Sequence, residues 1–123
     1  MAAHAYPPRE VPGTIYLLHY SARTSGNRQH YLGWTRNLER RFAQHRSGFG
    51  CDETAKAVAQ GLTITVAQTW RGTLALETHL KEWSREGRKG FSGICPLCDG
   101  KRKLPADLAS ELGPASMRVY RGG

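Results

Sequence analysis

The order of hydrophobic and polar positions predicts a β-hairpin, a series of helices and one further strand. Residues Thr14–Tyr20 are β-branched, aromatic or leucine at most positions, which is typical of a mostly buried strand. The Ser, Gly and Asn residues of Ser21–Asn27 favour a turn, and Gln29–Trp34 is predicted to return as the second strand. Leu62–Trp70 alternates and is rich in Thr, Ile and Val, so we predict a third strand there.

Helical periodicity accounts for much of the remaining chain. Thr35 or Asn37 can cap a first predicted helix over residues 35–48, and Gly48 can end it. The apolar face of this helix carries Leu38, Phe42 and His45. A longer helix over residues 73–86 has an apolar stripe of Leu76, Leu80 and Trp83. Shorter helices are predicted at Asp52–Gln60 and Asp107–Leu112.

Positive charge adds a preference for an anionic partner. The 123 residues include 18 Lys and Arg against 10 Asp and Glu, which gives a net charge of +8, and the pI is about 9.9. The excess is strongest in residues 1–50, which carry seven arginines and two glutamates. Guanidinium groups donate paired hydrogen bonds to phosphate oxygens, so we favour a polyanion partner over a basic surface that is merely solvated.

Composition excludes several classes of protein. No apolar run approaches the roughly 20 residues that a membrane-spanning helix needs, and the first residues lack the apolar centre of a secretory signal. Three cysteines are too few, and odd in number, for a disulfide framework, so we expect the reducing cytoplasm. Residues 1–12 are expected to form a flexible lead-in.

Five polar side chains are candidates for chemistry, although each is ordinary by itself. Tyr16 and Tyr31 lie on the two arms of the predicted hairpin, where tyrosine normally packs with its hydroxyl in water. Arg41 and His45 are four residues apart and are therefore stacked on one side of a helix. Glu77 lies beside the apolar stripe of its helix, where it can face a cleft.

The order of these residues resembles the GIY-YIG nuclease family. The tripeptide TIY, ending at Tyr16, matches the first family motif with threonine for glycine, and YLG, ending at Gly33, matches the second with leucine for isoleucine. An arginine follows Gly33 by eight residues, a histidine comes four residues later, and a glutamate lies early in a later helix. The resemblance extends from Gly13 to about Trp83.

The resemblance implies a role for each of the five side chains. Tyr16 matches the general base toward the attacking water, and Tyr31 matches the tyrosine that helps to position that water. Arg41 matches the arginine on the scissile phosphate, and His45 falls beside the metal and the phosphate. Glu77 matches the carboxylate that binds one divalent cation, Mg²⁺ or Mn²⁺.

The resemblance also implies the fold and the function. We expect an α/β fold, a small three-stranded and mostly antiparallel sheet flanked by helices, with the nuclease domain in residues 13–98 and a basic tail in residues 99–123. The implied activity is hydrolysis of DNA phosphodiester bonds by a one-metal mechanism, with specificity supplied by a helper protein or by the shape of the substrate. Phosphate contacts are expected from Arg36, Arg40, Arg46, Lys101, Arg102 and Lys103.

Departures from the family pattern keep an alternative function open. Trp34 stands where many members carry lysine, and no asparagine follows Glu77 at the usual distance. Ser92 is a weak substitute for that asparagine. The alternative is a catalytically inactive nucleic-acid-binding module with the same fold and the same basic surface.

The remaining motif is Cys95-Pro-Leu-Cys98. Such a pair can supply half of a tetrahedral Zn²⁺ site, but Cys51 and the scattered histidines form no second close pair in the sequence. A redox pair normally opens a helix after a strand, which this context does not suggest. We therefore favour two free thiols over a structural zinc ion at Cys95 and Cys98.

Overall fold

An antiparallel sheet with helices on both faces forms the centre of the protein. The computed structural model describes residues 10–113 and 120–121, so most of the predicted lead-in and part of the predicted tail lie outside the described residues. The strands are β1 (Pro12–Tyr20), β2 (His30–Thr35), β3 (Ile64–Thr73) and β4 (Tyr120–Arg121). The helices are α1 (Leu38–Arg46), α2 (Asp52–Ala59), α3 (Leu74–Glu86), a 3₁₀ helix (Gly90–Ile94) and α4 (Ala106–Glu111).

The strand order is β2-β1-β3-β4, and every neighbouring pair is antiparallel. Strand β1 lies between β2 and β3, with Tyr16 opposite Gly33 on one side and opposite Thr69 on the other. The predicted three-stranded sheet with flanking helices is therefore confirmed. Strand β4 was not predicted, because two residues carry no periodic signal.

Burial on both faces explains why the sequence of the central strand, β1, shows little alternation. Tyr16 and Leu18 point to one face of the sheet, where they pack with residues of α1 and α2. Ile15 and Leu17 point to the other face, where they pack with α3, the 3₁₀ helix and α4. Both faces are covered, so consecutive apolar residues are buried on opposite sides.

Local capping fixes where the helices begin. The Asn37 side chain accepts a hydrogen bond from the Arg40 N–H at 3.1 Å, which begins α1 at Leu38. Thr35 is the last residue of β2, so Asn37 rather than Thr35 caps α1. Thr73 caps α3 in the same way. None of the helices in the described part of the chain is long and apolar enough to cross a membrane.

The chain beyond α3 contributes to the core. The 3₁₀ helix, which was not predicted, buries Ile94, and α4 buries Leu108 completely. Leu112 also belongs to this core cluster. The segment predicted as a basic tail thus begins with residues that pack against the sheet, and the domain boundaries stay a prediction.

Candidate active site

A cleft of about 620 Å³ lies between the strand end of β2 and helices α1 and α3. Two groups of side chains line it: the candidate residues Tyr31, Arg41 and Glu77, and the cations Arg36, Arg40 and Lys81. The other two candidates, Tyr16 and His45, are buried beside Tyr31. The five candidate residues therefore come from four different elements and meet in one place.

The two tyrosines lie on the same face of the sheet, as their positions in the hairpin predict. Tyr31 is opposite Leu18 and Tyr16 is opposite Gly33, so the tyrosines are diagonal neighbours across β1 and β2. Their ring centroids are 6.2 Å apart. The His45 ring completes the group, with centroids 5.7 Å from Tyr16 and 5.3 Å from Tyr31.

Gly33 makes room for the tyrosine hydroxyl. A Cβ atom at this position would lie 2.5 Å from the Tyr16 Oη and 2.9 Å from the Tyr31 ring. Both distances are shorter than normal van der Waals contact, so a side chain here would displace one of the tyrosines. The requirement at Gly33 is close approach of neighbouring groups in an extended strand.

A buried chain of hydrogen bonds runs from Tyr16 through His45 to Thr54. The Tyr16 Oη lies 2.9 Å from the His45 Nε2, and the His45 Nδ1 lies 2.8 Å from the Thr54 Oγ1. The Thr54 hydroxyl donates to the Cys51 carbonyl at 3.3 Å, so its oxygen is free to accept from His45. The network thereby assigns the proton of the neutral imidazole to Nδ1 and leaves Nε2 to accept from the Tyr16 hydroxyl.

Burial determines the protonation states of Tyr16, Tyr31 and His45. It raises the pKa of Tyr16 above the ordinary value of about 10, the nearby Tyr31 adds to that effect, and the Arg41 guanidinium opposes it. Burial also raises the pKa of Tyr31 to about 12, with Arg41 again opposing. It lowers the pKa of His45 to about 4, and Arg41 contributes in the same direction. At neutral pH the site therefore holds protonated tyrosines beside a neutral histidine.

The His45 ring is fully buried and hydrogen-bonded to Tyr16. The expectation that this side chain lies beside the metal and the phosphate stays a prediction. Gly50 packs so closely against the ring that a Cβ atom there would overlap it. His45 is therefore placed to act on Tyr16.

Glu77 provides a single carboxylate at the cleft. Its side chain is 6 % exposed, and its Oε2 lies 3.2 Å from the Nζ of Lys81, one helical turn further along α3. Within the described residues, no second carboxylate joins it in a cluster of three or more metal-ligating side chains. Mg²⁺ is commonly held by one or two carboxylates while it keeps several waters, so one hard oxygen donor at an open cleft fits such an ion.

Five of the six predicted phosphate contacts fall into three groups. Arg36 and Arg40 line the cleft, and Lys101 and Lys103 are exposed elsewhere. Arg46 is exposed and lies over the Phe42 ring, with 5.3 Å between its Cζ and the ring centroid.

Arg102, the sixth predicted phosphate contact, packs against α3. Its Cζ lies 3.5 Å from the centroid of the Trp83 ring, and its Nη1 donates to the Trp83 carbonyl at 3.1 Å. A planar guanidinium stacked on an aromatic ring holds chain segments together. Arg102 therefore fixes the chain after the 3₁₀ helix to α3, and its role as a phosphate contact stays a prediction.

Two side chains of the site were missed by sequence reasoning. Lys81 provides a cation in the cleft, while Trp34 stands where many family members carry a lysine. The spacing of four residues between Glu77 and Lys81 could have predicted their ion pair. Thr54 orients His45 from α2, and no sequence pattern marks it. Its role depends on how α1 and α2 pack.

A second polar cluster lies away from the cleft residues. His19, His30, Cys95 and Cys98 place one ligand atom each within 4.8 Å of one another. The sequence, in which these histidines form no close pair, favours two free thiols, whereas the structure brings both histidines beside Cys95 and Cys98. The two histidines are 11 residues apart in sequence but are directly opposite each other in the β1–β2 register.

Comparison with known proteins places the chain in a family. The model of the GIY-YIG catalytic domain matches residues 12–90, which is more than half of the chain. No curated protein and no solved structure matches it.

Proposed function

The chain belongs to the GIY-YIG nuclease family, and from this premise we propose that it is a divalent-metal-dependent endonuclease that hydrolyses DNA phosphodiester bonds with Tyr16 as the general base. The observation that carries the proposal is the buried hydrogen-bond chain from Tyr16 to His45 and Thr54, next to a cleft that holds Arg41 and Glu77. Nucleases of this family generally use divalent metals.

Arg41 and His45 act on the tyrosine base in different ways. A buried phenol with a raised pKa gives up its proton only at high cost, and the Arg41 guanidinium lowers that pKa against the effect of burial. The neutral His45 Nε2 accepts a hydrogen bond from the phenol and so fixes the position of the Tyr16 oxygen that takes a proton from the attacking water. Thr54 holds the other ring nitrogen of His45 in place.

The arginines of the cleft bind the phosphate that is cut. Arg41 lies close enough to Tyr16 and Tyr31 to affect the pKa of both, so its guanidinium is beside the position of the attacking water. Arg36 and Arg40 extend the positive charge along the same cleft. Fixed positive groups next to the phosphorus stabilise the additional negative charge of the transition state.

Glu77 is the residue that would hold the divalent ion. A magnesium or manganese ion bound there supplies a Lewis acid to the phosphoryl and leaving oxygens. Lys81 neutralises Glu77 through its ion pair at 3.2 Å and keeps a cation at the cleft.

A plasmid-nicking assay tests this function. Supercoiled DNA is incubated with the protein and Mg²⁺ or Mn²⁺, and with chelator in parallel. We expect metal-dependent nicking by the wild type and by Glu82→Gln, an exposed position on the same helix, and no nicking by Glu77→Gln. DNA affinity, measured by fluorescence anisotropy without divalent metal, should be nearly equal in the three proteins because the basic surface supplies most of it.

The same assay distinguishes the alternative function. Binding of DNA by the wild type without nicking under any metal condition would identify a catalytically inactive nucleic-acid-binding module. Nicking by Glu77→Gln at the wild-type rate would remove this residue from the mechanism. Loss of both binding and nicking in Glu77→Gln would mean that the substitution acts on the fold.

A further inference from the structure

Four side chains from three segments of the chain converge on one point outside the cleft. His19 lies near the end of β1 and His30 begins β2, so the hairpin presents both rings together. Cys95 directly follows the 3₁₀ helix, and Cys98 lies one turn later. No disulfide joins the two cysteines. The proposed nuclease mechanism uses none of these four residues.

Four of the six distances between the ligand atoms match those of a tetrahedron around one zinc ion, and all six are within 4.8 Å. With Zn–N of about 2.0–2.1 Å and Zn–S of about 2.3 Å, ideal tetrahedral geometry requires separations of about 3.3 Å between two nitrogens and about 3.5–3.6 Å between nitrogen and sulfur. The His19 Nδ1 lies 3.4 Å from the His30 Nε2. The Cys98 Sγ lies 3.5 Å and 3.4 Å from these two nitrogens, and the Cys95 Sγ lies 3.6 Å from the His19 Nδ1.

The surroundings of the cluster favour a closed site. Cys95 is fully buried and His30 is 8 % exposed, whereas Cys98 lies at the surface. No carboxylate belongs to the cluster among the described residues, so the donors are two nitrogens and two sulfurs. This donor set suits Zn²⁺, and four protein ligands leave no open position for a substrate.

The loop that carries the cysteines is ordered by its own backbone bonds. The Cys98 N–H donates to the Cys95 carbonyl at 3.0 Å, and the N–H groups of Asp99 and Gly100 both donate to the Ser92 carbonyl. Gly100 has a φ of 62°, in the left-handed region that favours glycine. The two thiols are thereby held on one side of a tight turn before any metal arrives.

We propose that His19, His30, Cys95 and Cys98 form a structural Zn²⁺ site that fastens the segment after α3 to the β1–β2 hairpin. The ion replaces the thiol protons of Cys95 and Cys98, which are released to solvent on binding. Both cysteines lie beyond residue 90, where the match to the family domain ends. Two of the four ligands therefore lie outside the matched domain, and the proposal does not depend on the nuclease activity.

Metal analysis of the full-length chain, produced with a tag that contains no histidine, tests the proposal. The protein is reduced, reconstituted with Zn²⁺, desalted and assayed by elemental mass spectrometry. We expect about one zinc ion per chain in the wild type, and a fall to nearly none in Cys98→Ser, which alters an exposed side chain. Cys51→Ser and His79→Ala are the matched controls outside the cluster and should keep the ion.

Cobalt provides a second measurement that does not depend on a variant. Co²⁺ bound to the wild type should give the intense visible bands of tetrahedral coordination together with sulfur-to-cobalt charge-transfer absorption, and added Zn²⁺ should remove both. Zinc should raise the Tm of the wild type and leave that of Cys98→Ser unchanged. Glu77→Gln should keep its zinc, which separates this site from the proposed catalytic ion.

Three results would overturn the proposal. The first is a reconstituted wild type that holds well under one zinc ion per chain. The second is a Cys98→Ser variant that holds as much zinc as the wild type. The third is a cobalt spectrum of octahedral type, without charge transfer from sulfur.

Discussion

Removing the hydroxyl of Tyr16 separates its chemical role from its packing role. In Tyr16→Phe the ring stays in the core, but the His45 Nε2 loses its hydrogen-bond partner at 2.9 Å. Because that nitrogen is buried, the substitution should lower the free energy of unfolding by about 1–3 kcal/mol. It should also lower the rate of DNA cleavage by about 10²–10⁴-fold, the span typical of one positioned proton acceptor.

Tyr20→Phe is a matched control on the same strand. Tyr20 is also fully buried and packs in the same core cluster, but its hydroxyl has no hydrogen-bond partner among the described residues. Removing it should leave the free energy of unfolding within about 0.5 kcal/mol of the wild type or raise it, because a buried polar atom without a partner is destabilising. The rate of cleavage should stay at the wild-type level.

Urea unfolding and single-turnover nicking, measured on both variants, test this reasoning. The expected pattern is a stable Tyr20→Phe of normal activity and a less stable, folded Tyr16→Phe that still binds DNA. A Tyr16→Phe protein that cleaves at the wild-type rate would refute the role as base and make Tyr31 the next candidate. Equal losses of activity in the two variants would show that the assay reports on packing of the core.

Four further predictions concern the same site. Gly33→Ala should cost about 1–3 kcal/mol by urea unfolding because it displaces Tyr16, while Gly26→Ala, where a Cβ meets nothing closer than 3.8 Å, should cost little; equal effects would contradict this. Arg41→Lys should reduce the nicking rate by about 10²-fold through loss of the planar donor, and an unchanged rate would exclude a two-point phosphate contact. Burial lowers the pKa of His45 from 6.5 to about 4, so the folded state resists protonation and the free energy of unfolding should fall as the pH decreases from about 6.5 to about 4. His45→Gln should show a smaller fall, and the same pH dependence in both proteins would contradict this role of His45. DNA affinity should decrease with salt with a log–log slope of about −0.9 per phosphate neutralised, and a flat response would argue against nucleic acid.

The hairpin and its tyrosines could be predicted because strand geometry relates sequence to position simply. Side chains alternate between the faces of a strand, so the spacing of Tyr16 and Tyr31 in two paired strands is enough to place them together. The same rule could have paired His19 with His30, because both fall within the predicted hairpin. The sequence does not show that Cys95 and Cys98 lie beside those two histidines.

Contacts between distant segments limit what the sequence alone predicts. His19 and Cys95 are 76 residues apart, and they meet because the 3₁₀ helix folds back onto the sheet after α3. A five-residue element with two glycines carries no periodic signal. Arg102 is a similar case, since no sequence pattern shows that this basic residue stacks on the Trp83 ring.

The chain after α3 also determines which fragment of this protein can be studied. The family likeness ends at residue 90, but Ile94, Cys95, Leu108 and Leu112 fill the same side of the sheet as Ile15 and Leu80. A fragment designed on the family boundary would expose that apolar surface to water and would tend to aggregate. The region that the family model matches is thus shorter than the region that builds the core, and the later segment has to be included in any expression, labelling or domain-fusion experiment.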